Sequence, residues 1–402
     1  MKTKHLILFD KTIVRYISLL LNIVVIIVGK ILRLNHNLER DFDRIVVAKY
    51  KGMGSIIQTL PLLHGIRNKY PKATIIFATS KGNKKLIDQL NPLVDQCYFI
   101  DDSSVFKLSG SIFQFLFKII RFRPQVFIDL EIYSNASTLL TTMSLATNRF
   151  GYFLRSEQYR KGLYSHMLFF NTNTPIYENY KQMGRMLGIE NFESQSNINL
   201  DDTDIPIIDG SYLVINPNAS DLRLERRWPD SSFIELIKHL SNNHNYKIVL
   251  IGASNEAQYV NQLVEDLENA NSIVNLAGKS SIMEMFNIIK HTKILITNDT
   301  GPMHLGFYFK TPTVALFGPC QPGHYGLSGE NISIHYANTY CSPCVHEFEE
   351  APCKGDNQCM KNISISQVIE STDLLIKGQA KNYISLPVLY STHEPLGVVR
   401  RS

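Results

Sequence analysis

The chain has 402 residues, 44% of them hydrophobic, and a net charge of +5. That length fits two domains with sizeable cores of their own, and no low-complexity tract or short repeat stands out. The positive charge is small and spread along the chain, with no dense Lys/Arg block interleaved with aromatics, which argues against a nucleic-acid partner.

The first informative stretch is YISLLLNIVVIIVG, an uncharged run between Arg15 and Lys30. As a helix it spans ~21 Å, short of the ~30 Å hydrocarbon core of a bilayer. Lys11, Arg15, Ser18, Asn22, Gly29 and Arg33 recur at helical steps and form a narrow polar stripe. Residues 1–40 are therefore expected to be a membrane-associating helix lying in the interface. A helix docked on the protein's own core is the alternative. A cleaved signal peptide fits less well, because no small-residue cleavage site follows the apolar run.

Residues 41–195 read as an α/β domain. RIVVAK, TIIFAT and QVFIDL are strand-like, and helix-length segments such as SIIQTLPLLHGIRNKY and SIFQFLFKIIRF separate them. The polar, acidic stretch 191–210 reads as a linker. Over 206–375 the alternation resumes, with strands SYLVINP, YKIVLIG, SIVNLAG, KILITND and PTVALFG. The helices there are SFIELIKHL, AQYVNQLVEDL and SIMEMFNIIK. Strand alternating with helix predicts a parallel sheet covered on both faces, so the chain is expected to hold two such domains with a cleft between them. Ligands in this class bind at the carboxyl ends of the strands. Residues 376–402 form a tail without clear periodicity or assigned function.

Several polar clusters fall on that edge of the second domain. The most informative is NDTGPMHL, which follows the apolar run KILIT. Asp299 or Thr300 could cap the helix that starts there, with Pro302 suited to the first turn. Capping leaves Gly301 and His304 unexplained, whereas an anion at the helix N-terminus uses both. NPNAS, RLERRWPD, GASNEAQ and FGPCQPGHYG fall on the same edge. Gly252, Gly301, Gly318 and Gly323 would let loops approach a pyrophosphate, Arg226 or Arg227 could neutralise it, and Glu256 could accept from a ribose hydroxyl.

Of the six cysteines, Cys97 and Cys320 stand alone, while Cys341, Cys344, Cys353 and Cys359 cluster as C-S-P-C-(x8)-C-(x5)-C. Such spacing suits a structural tetrahedral thiolate site, with zinc the default ion and His346 able to replace one thiol. Disulfides and reduced thiols stay open.

RRWPD, NDTGPMHL and FGPCQPGHYG, together with VAKYKGMGSIIQTLPLL in the first half, resemble glycosyltransferase family nine, the ADP-heptose lipopolysaccharide heptosyltransferases. The likeness runs from residue 44 to residue 370 in the family's order. It implies a GT-B fold, two Rossmann-like domains whose parallel sheets face each other across a cleft. It also implies that Asp299, Thr300, Gly301 and His304 surround the donor's diphosphate and sugar, that Arg226 contacts the phosphates, and that Glu256 lies near the nucleoside. Gly52, Gly54 and Ser55 would bring the first strand-to-helix loop near the donor, Ser55 capping its helix, while Lys49 and Lys51 face ligand or water. Protein-heptosylating relatives carry a four-cysteine iron site, which adds iron to the candidates for the cysteine cluster.

The chemistry implied is inverting and metal-independent, with an Arg, a helix N-terminus and a protonated or hydrogen-bonded His304 stabilising the departing diphosphate. One position departs from the family. The loop's usual Asp, the acceptor base, is Ser55 here, and a serine hydroxyl has no useful basicity near neutral pH. Asp129 and Glu131, at the end of QVFIDLE, are the substitute candidates, Glu131 preferred because it lies further toward the carboxyl end.

The resulting expectation is a transferase at the cytoplasmic face of the inner membrane. It would move heptose from ADP onto a lipid-linked saccharide in lipopolysaccharide or related glycan synthesis. A non-catalytic nucleotide-sugar-binding protein, suggested by Ser55, and a protein-modifying transferase are the alternatives. KGMGSII lacks the glycine spacing of a dinucleotide-binding dehydrogenase.

Overall fold

The computed structural model describes residues 10–88, 93–154, 160–193, 208, 210–219, 223–267, 272–345, 347–348 and 351–384. The chain divides into two compact units, Met1–Asp201 and Asp202–Ser402. Most of the expected linker (194–207 and 209) lies outside the described residues, as does His346.

The first unit opens with a π-type turn, Asp10–Val14, and α1 (Arg15–Leu32). Next come β1 (Arg44–Ala48), α2 (Met53–Ile57), α3 (Leu60–Lys69), β2 (Thr74–Ser80), α4 (Lys84–Ile87) and β3 (Gln96–Ile100). They are followed by α5 (Val105–Phe122), β4 (Val126–Asp129), α6 (Asn135–Met143), β5 (Asn148–Phe153), β6 (His166–Phe169) and α7 (Ile176–Met186). The six strands are parallel and ordered β3-β2-β1-β4-β5-β6. Residues 45–48 and 126–128 are fully buried, as expected of central strands covered on both faces. The helix expected over 55–70 is broken at Gln58–Thr59, since Pro61 has no N–H to give the Ile57 carbonyl and suits the first turn of a new helix instead.

α1 packs on the unit through part of its polar stripe. Val14 and Ser18 are buried, and a Cβ on Gly162 would lie 1.7 Å from Asn22 Oδ1, so the small polar side of the helix packs onto the unit. The Asp10 carboxylate accepts from Asn135 N (2.9 Å) and Ala136 N (2.6 Å), fixing the chain at the positive end of α6. Tyr16, Leu20, Ile23, Ile27 and Ile31 are left exposed. Thr12–Leu32 is long and apolar enough to cross a membrane, with a mean hydropathy of 2.2. The helix thus docks on the unit through Ser18 and Asn22 with its apolar side exposed, and Arg15 and Arg33 at the ends of the stripe are exposed as well.

The second unit runs β7 (Tyr212–Asn216), α8 (Asp230–Asn243), β8 (Lys247–Leu250), α9 (Ala257–Glu265), β9 (Ile273–Asn275), α10 (Ile282–His291) and β10 (Ile294–Asn298). It continues with α11 (Gly301–Phe309), β11 (Thr313–Phe317), α12 (Pro322–Tyr325), β12 (Ile332–Tyr336), α13 (Gln358–Lys361), α14 (Ile365–Ile376) and β13 (Tyr383–Ile384). Its seven strands are parallel, in the order β13-β12-β11-β10-β7-β8-β9. β13 corrects the reading of a featureless tail. Tyr383 pairs with His335 of β12, and the two rings stack at 5.0 Å. Trp228 is fully buried, edge-on to Phe233, and its Nε1 donates to Ile363 O at 3.2 Å. His239 and His244 both reach Asp373, at 3.2 and 2.8 Å, tying α8 and the residue after it to α14.

Each sheet thus reverses direction once, between β1 and β4 in the first unit and between β7 and β10 in the second. In an open parallel sheet this is where the loops splay apart and a ligand can enter.

Candidate functional site

In the second unit the loops after β7 and β10 are bound together by two asparagines. Asn298 Nδ2 donates to Pro217 O (3.0 Å) and Asn218 O (3.1 Å), and its Oδ1 accepts from Trp228 N (3.2 Å). Asn216 Nδ2 donates to Thr297 Oγ1 (3.0 Å) and Thr300 Oγ1 (2.8 Å). The stretches 216–218, 226–228 and 298–300 thereby become one rigid floor. Neither Asn216 nor Asn298 was among the sequence candidates; an Asn closing each of two neighbouring strands was the available signal.

Arg226, Asp299, Thr300, Gly301 and His304 meet on this floor. Arg226 Nη1 donates to Asp299 O at 3.1 Å and lies 3.8 Å from Asp299 Oδ2. Arg226 Nε and Asp299 Oδ2 are both buried and make no hydrogen bond among the described residues. Leaving buried polar atoms unpaired is costly, and a ligand seated on these loops would supply the partners. Burial works against the Arg226 charge, but Asp299 outweighs it and the guanidinium stays protonated. Arg227 lies 3.9 Å over the Tyr259 ring, and its Nε is likewise buried without a hydrogen bond among the described residues.

The capping explanation of NDTGPMHL fails. Thr300 is at the N-cap of α11, yet its side chain does not cap that helix, and its hydroxyl donates to Asn298 O at 3.3 Å instead. His304 lies in the first turn, buried. That burial pushes its pKa down to about 4, against the pull of the Asp299 charge and with the Arg226 charge acting in the same downward sense. Without ligand His304 is therefore neutral at physiological pH, an imidazole able to hydrogen-bond.

Other sequence candidates have local tasks. Glu256 Oε2 accepts from Ala253 N at 2.7 Å, closing the turn that leads into α9. Gly252 makes room for Asn218, whose Nδ2 would lie 2.6 Å from a Cβ there. A Cβ on Gly318 would lie 2.3 Å from Met360 Sδ and 3.1 Å from Cys359 Sγ, so the Gly-Pro loop rests directly on the cysteine lobe. Cys344 N and Val345 N donate to Pro319 O at 3.0 and 3.1 Å, and Ser342 Oγ donates to Gly318 O. Cys320, buried at the end of this loop, faces Asp299 and Arg226, and burial pushes its thiol up.

The thiols of Cys341, Cys344 and Cys353 lie close enough to Cys359 that, after burial, they help push it up to about 12. All four are free thiols. Among the described residues, however, the group whose three ligand atoms lie within 4.8 Å of one another is His239, His244 and Asp373, and the thiols form no such group. The donor chemistry suits zinc or iron; this spacing does not yet match a tetrahedral site.

In the first unit the loop after β1 faces the end of β4. Gly52 has φ +87°, a left-handed conformation that glycine adopts without strain, and it ends β1's loop as the N-cap of α2. Gly54 is buried in the first turn. Ser55 lies inside α2 and does not cap it, contrary to expectation. Lys49 is buried and pairs with Glu131 Oε2 at 2.9 Å, while Lys51 is exposed. Glu131 Oε1 accepts from Tyr50 N (2.7 Å) and Lys51 N (3.1 Å). Burial alone would raise the Glu131 pKa; the Lys49 charge and these donors outweigh it and hold the carboxyl below its usual value. A carboxylate so engaged holds the loop against β4.

Asp129 is sealed. Its Oδ1 accepts from Ser137 Oγ (2.6 Å) and Glu131 N (3.0 Å), and its Oδ2 from Tyr164 OH (2.7 Å) and Thr141 Oγ1 (3.2 Å). With no exposed surface, it cannot meet an acceptor hydroxyl, and its candidacy as the base is withdrawn. Burial raises its pKa, partly opposed by the Ser137 and Tyr164 hydrogen bonds.

A family model for glycosyltransferase family 9 (heptosyltransferase) matches residues 150–354, just over half of the chain. The chain belongs to glycosyltransferase family 9. A lipooligosaccharide heptosyltransferase 2 of Campylobacter jejuni is 32% identical over 169 residues, 41% of this chain and 51% of that protein. The chain spans about half the length of the curated relatives it matches first. Among solved structures, a family 9 glycosyl transferase of Veillonella parvula superposes with a TM-score of 0.68 at 20% identity, covering 85% of this chain and 99% of that one. The ADP-heptose lipopolysaccharide heptosyltransferase II of Escherichia coli gives 0.65 at 18% identity, over 83% and 98%. At these identities the structures establish the fold, two parallel sheets in the GT-B arrangement of heptosyltransferases. For a family 9 chain, NDTGPMHL, RRWPD and FGPC are thus the loops that surround the second unit's switch point.

Proposed function

We propose that this family 9 chain is an inverting, metal-independent glycosyltransferase that takes heptose from ADP-heptose and passes it to a lipid-linked saccharide. The observation that carries the proposal is the pair of buried atoms without a hydrogen bond among the described residues, Arg226 Nε and Asp299 Oδ2, at the N-terminus of α11, which the Thr300 side chain does not cap. A diphosphate fits there because its negative charge grows as the anomeric bond breaks. A guanidinium, helix N–H groups and the neutral His304 ring then stabilise charge where it develops. Asp299 would orient Arg226 and hydrogen-bond a sugar hydroxyl.

In this reading Glu131 fixes the loop bearing Gly52, Gly54 and Ser55 and is the carboxylate that takes the acceptor hydroxyl's proton as the new glycosidic bond forms. The cysteine lobe braces the Gly318–Cys320 loop, and zinc or iron held by its four thiols would be structural, since four protein ligands leave no open position. The outward apolar face of α1 supports placement at the cytoplasmic face of the inner membrane, where a lipopolysaccharide precursor would be the acceptor.

Ser55 and the engaged carboxylates favour one second reading, a protein that binds the nucleotide sugar without transferring it. An acceptor-dependent ADP-release assay with ADP-heptose and a lipid A-linked core saccharide separates the two. A transferase releases ADP only when acceptor is present, and Ser55→Asp, which supplies a carboxylate base, raises the rate by about 100-fold. A binder keeps ADP-heptose intact with and without acceptor, for both forms of the protein.

A further inference from the structure

α5 carries two apolar faces and buries one of them. Phe115 and Ile119 are buried in the core with Val46, Ala48 and Phe127. On the opposite side Phe106 is 90% exposed, Phe113 74%, Phe117 66% and Ile120 42%. Their spacing of seven, four and three residues sets them on one ridge, ~21 Å long, directly away from the core. The helix VFKLSGSIFQFLFKIIRF contains no acidic residue, and Lys107, Lys118 and Arg121 lie along one flank of the ridge. Soluble surfaces scatter single apolar side chains; a continuous aromatic ridge of this kind marks an interaction site.

We propose that α5 is a second membrane-docking element. It would lie in the interface of an anionic phospholipid bilayer, with Phe106, Phe113 and Phe117 among the acyl chains and Lys107, Lys118 and Arg121 on the lipid phosphates. Two observations favour a bilayer over a protein partner. The charge is of one sign only, complementary to an anionic surface. In addition, α1, whose apolar face also points outward, packs against the same helix α6 as α5 does. One interfacial element alone holds a protein to a membrane weakly and reversibly, whereas two acting together hold it stably. The proposal rests on the membrane reading of α1 and adds to it a separate, separable surface.

The test uses the full chain and sedimentation with vesicles of phosphatidylglycerol and phosphatidylethanolamine, compared with phosphatidylcholine alone. Substituting serine at Phe106, Phe113 and Phe117 together should weaken partitioning by about tenfold or more with an unchanged melting temperature. Glutamine at Lys107, Lys118 and Arg121 should abolish the preference for the anionic vesicles. As an independent readout, Phe113→Trp should give an emission that shifts to the blue on adding anionic vesicles; Trp228 is buried and contributes a constant background. Serine variants that bind as the wild type does would overturn the role of α5 and leave that of α1 standing. So would serine variants that only convert a dimer into monomers, the ridge then belonging to a second copy of the chain. Absence of vesicle binding by the wild type would overturn the membrane reading as a whole.

Discussion

Asp129→Ala lowers the stability of the chain by about 3 kcal/mol or more, whereas Asp129→Asn stays within about 1 kcal/mol of the wild type. The difference follows from the donors around the carboxylate. Alanine strands the hydroxyls of Ser137, Thr141 and Tyr164 and the Glu131 N–H in a site with no exposed surface. Asparagine keeps an acceptor at Oδ1, where Ser137 and the Glu131 N–H converge. Its amide donates at the other position, where the Thr141 and Tyr164 hydroxyls can rotate to accept. It also removes the cost of a buried charge, the cause of the raised pKa. Denaturant unfolding of the two variants measures this directly. An Asn variant that folds like the wild type but loses all transfer would restore Asp129 as the base.

Arg226→Gln weakens binding of ADP by about 100-fold, the loss expected when a charged hydrogen-bonding partner of a phosphate is removed from a desolvated site. Arg226→Lys recovers only part of it, because an ammonium lacks the fork that reaches Asp299 O and leaves Nε for the ligand. Calorimetry is the measurement, since the variants also strand Asp299 and shift the unliganded melting temperature. The affinity of the wild type should not rise as pH falls from 8 to 5.5, a range in which the ADP terminal phosphate itself loses charge. In the free protein His304 takes up a proton only as pH falls toward about 4, so it is neutral across that window. A binding strength that rises as pH falls through 7 would mean an imidazolium contacts the phosphates. The stability carries the matching sign. The unfolded chain protonates His304 near the ordinary value of 6.5 and the folded chain does not, so stability is lost as pH falls from there toward 4.

The central strands were legible because both their faces are buried, which writes RIVVA, VFID, YLVIN, ILITN and TVALF as continuous apolar runs. β5 and β6, NRFGYF and HMLF, lack that signature, and two-residue β13 is defined by its pairing alone. The loops at the second switch point were legible as motifs, because glycine, proline and charged residues at strand ends have few other uses. What they do to one another was not. The sequence places Asp129 at a strand end, where acids are often functional. Its burial is decided by Ser137 and Thr141, one turn apart on α6, and by Tyr164 from the far side of β5. The polar stripe of α1 was legible from its periodicity, but the packing of Ser18 and Asn22 on the unit was not, since periodicity gives the contents of a face and packing decides which way it looks.

The account stands on the second unit holding a nucleoside diphosphate at its switch point. The most direct measurement is a thermal-shift titration of the purified chain with ADP, UDP, GDP and CMP. Saturation with ADP at a hundred times its dissociation constant should stabilise the fold by ~2.7 kcal/mol, with the other nucleotides well below it and the shift reduced in Arg226→Gln. A shift with UDP or GDP in place of ADP would contradict the ADP-heptose donor while keeping the site. No shift with any of the four would contradict the site itself.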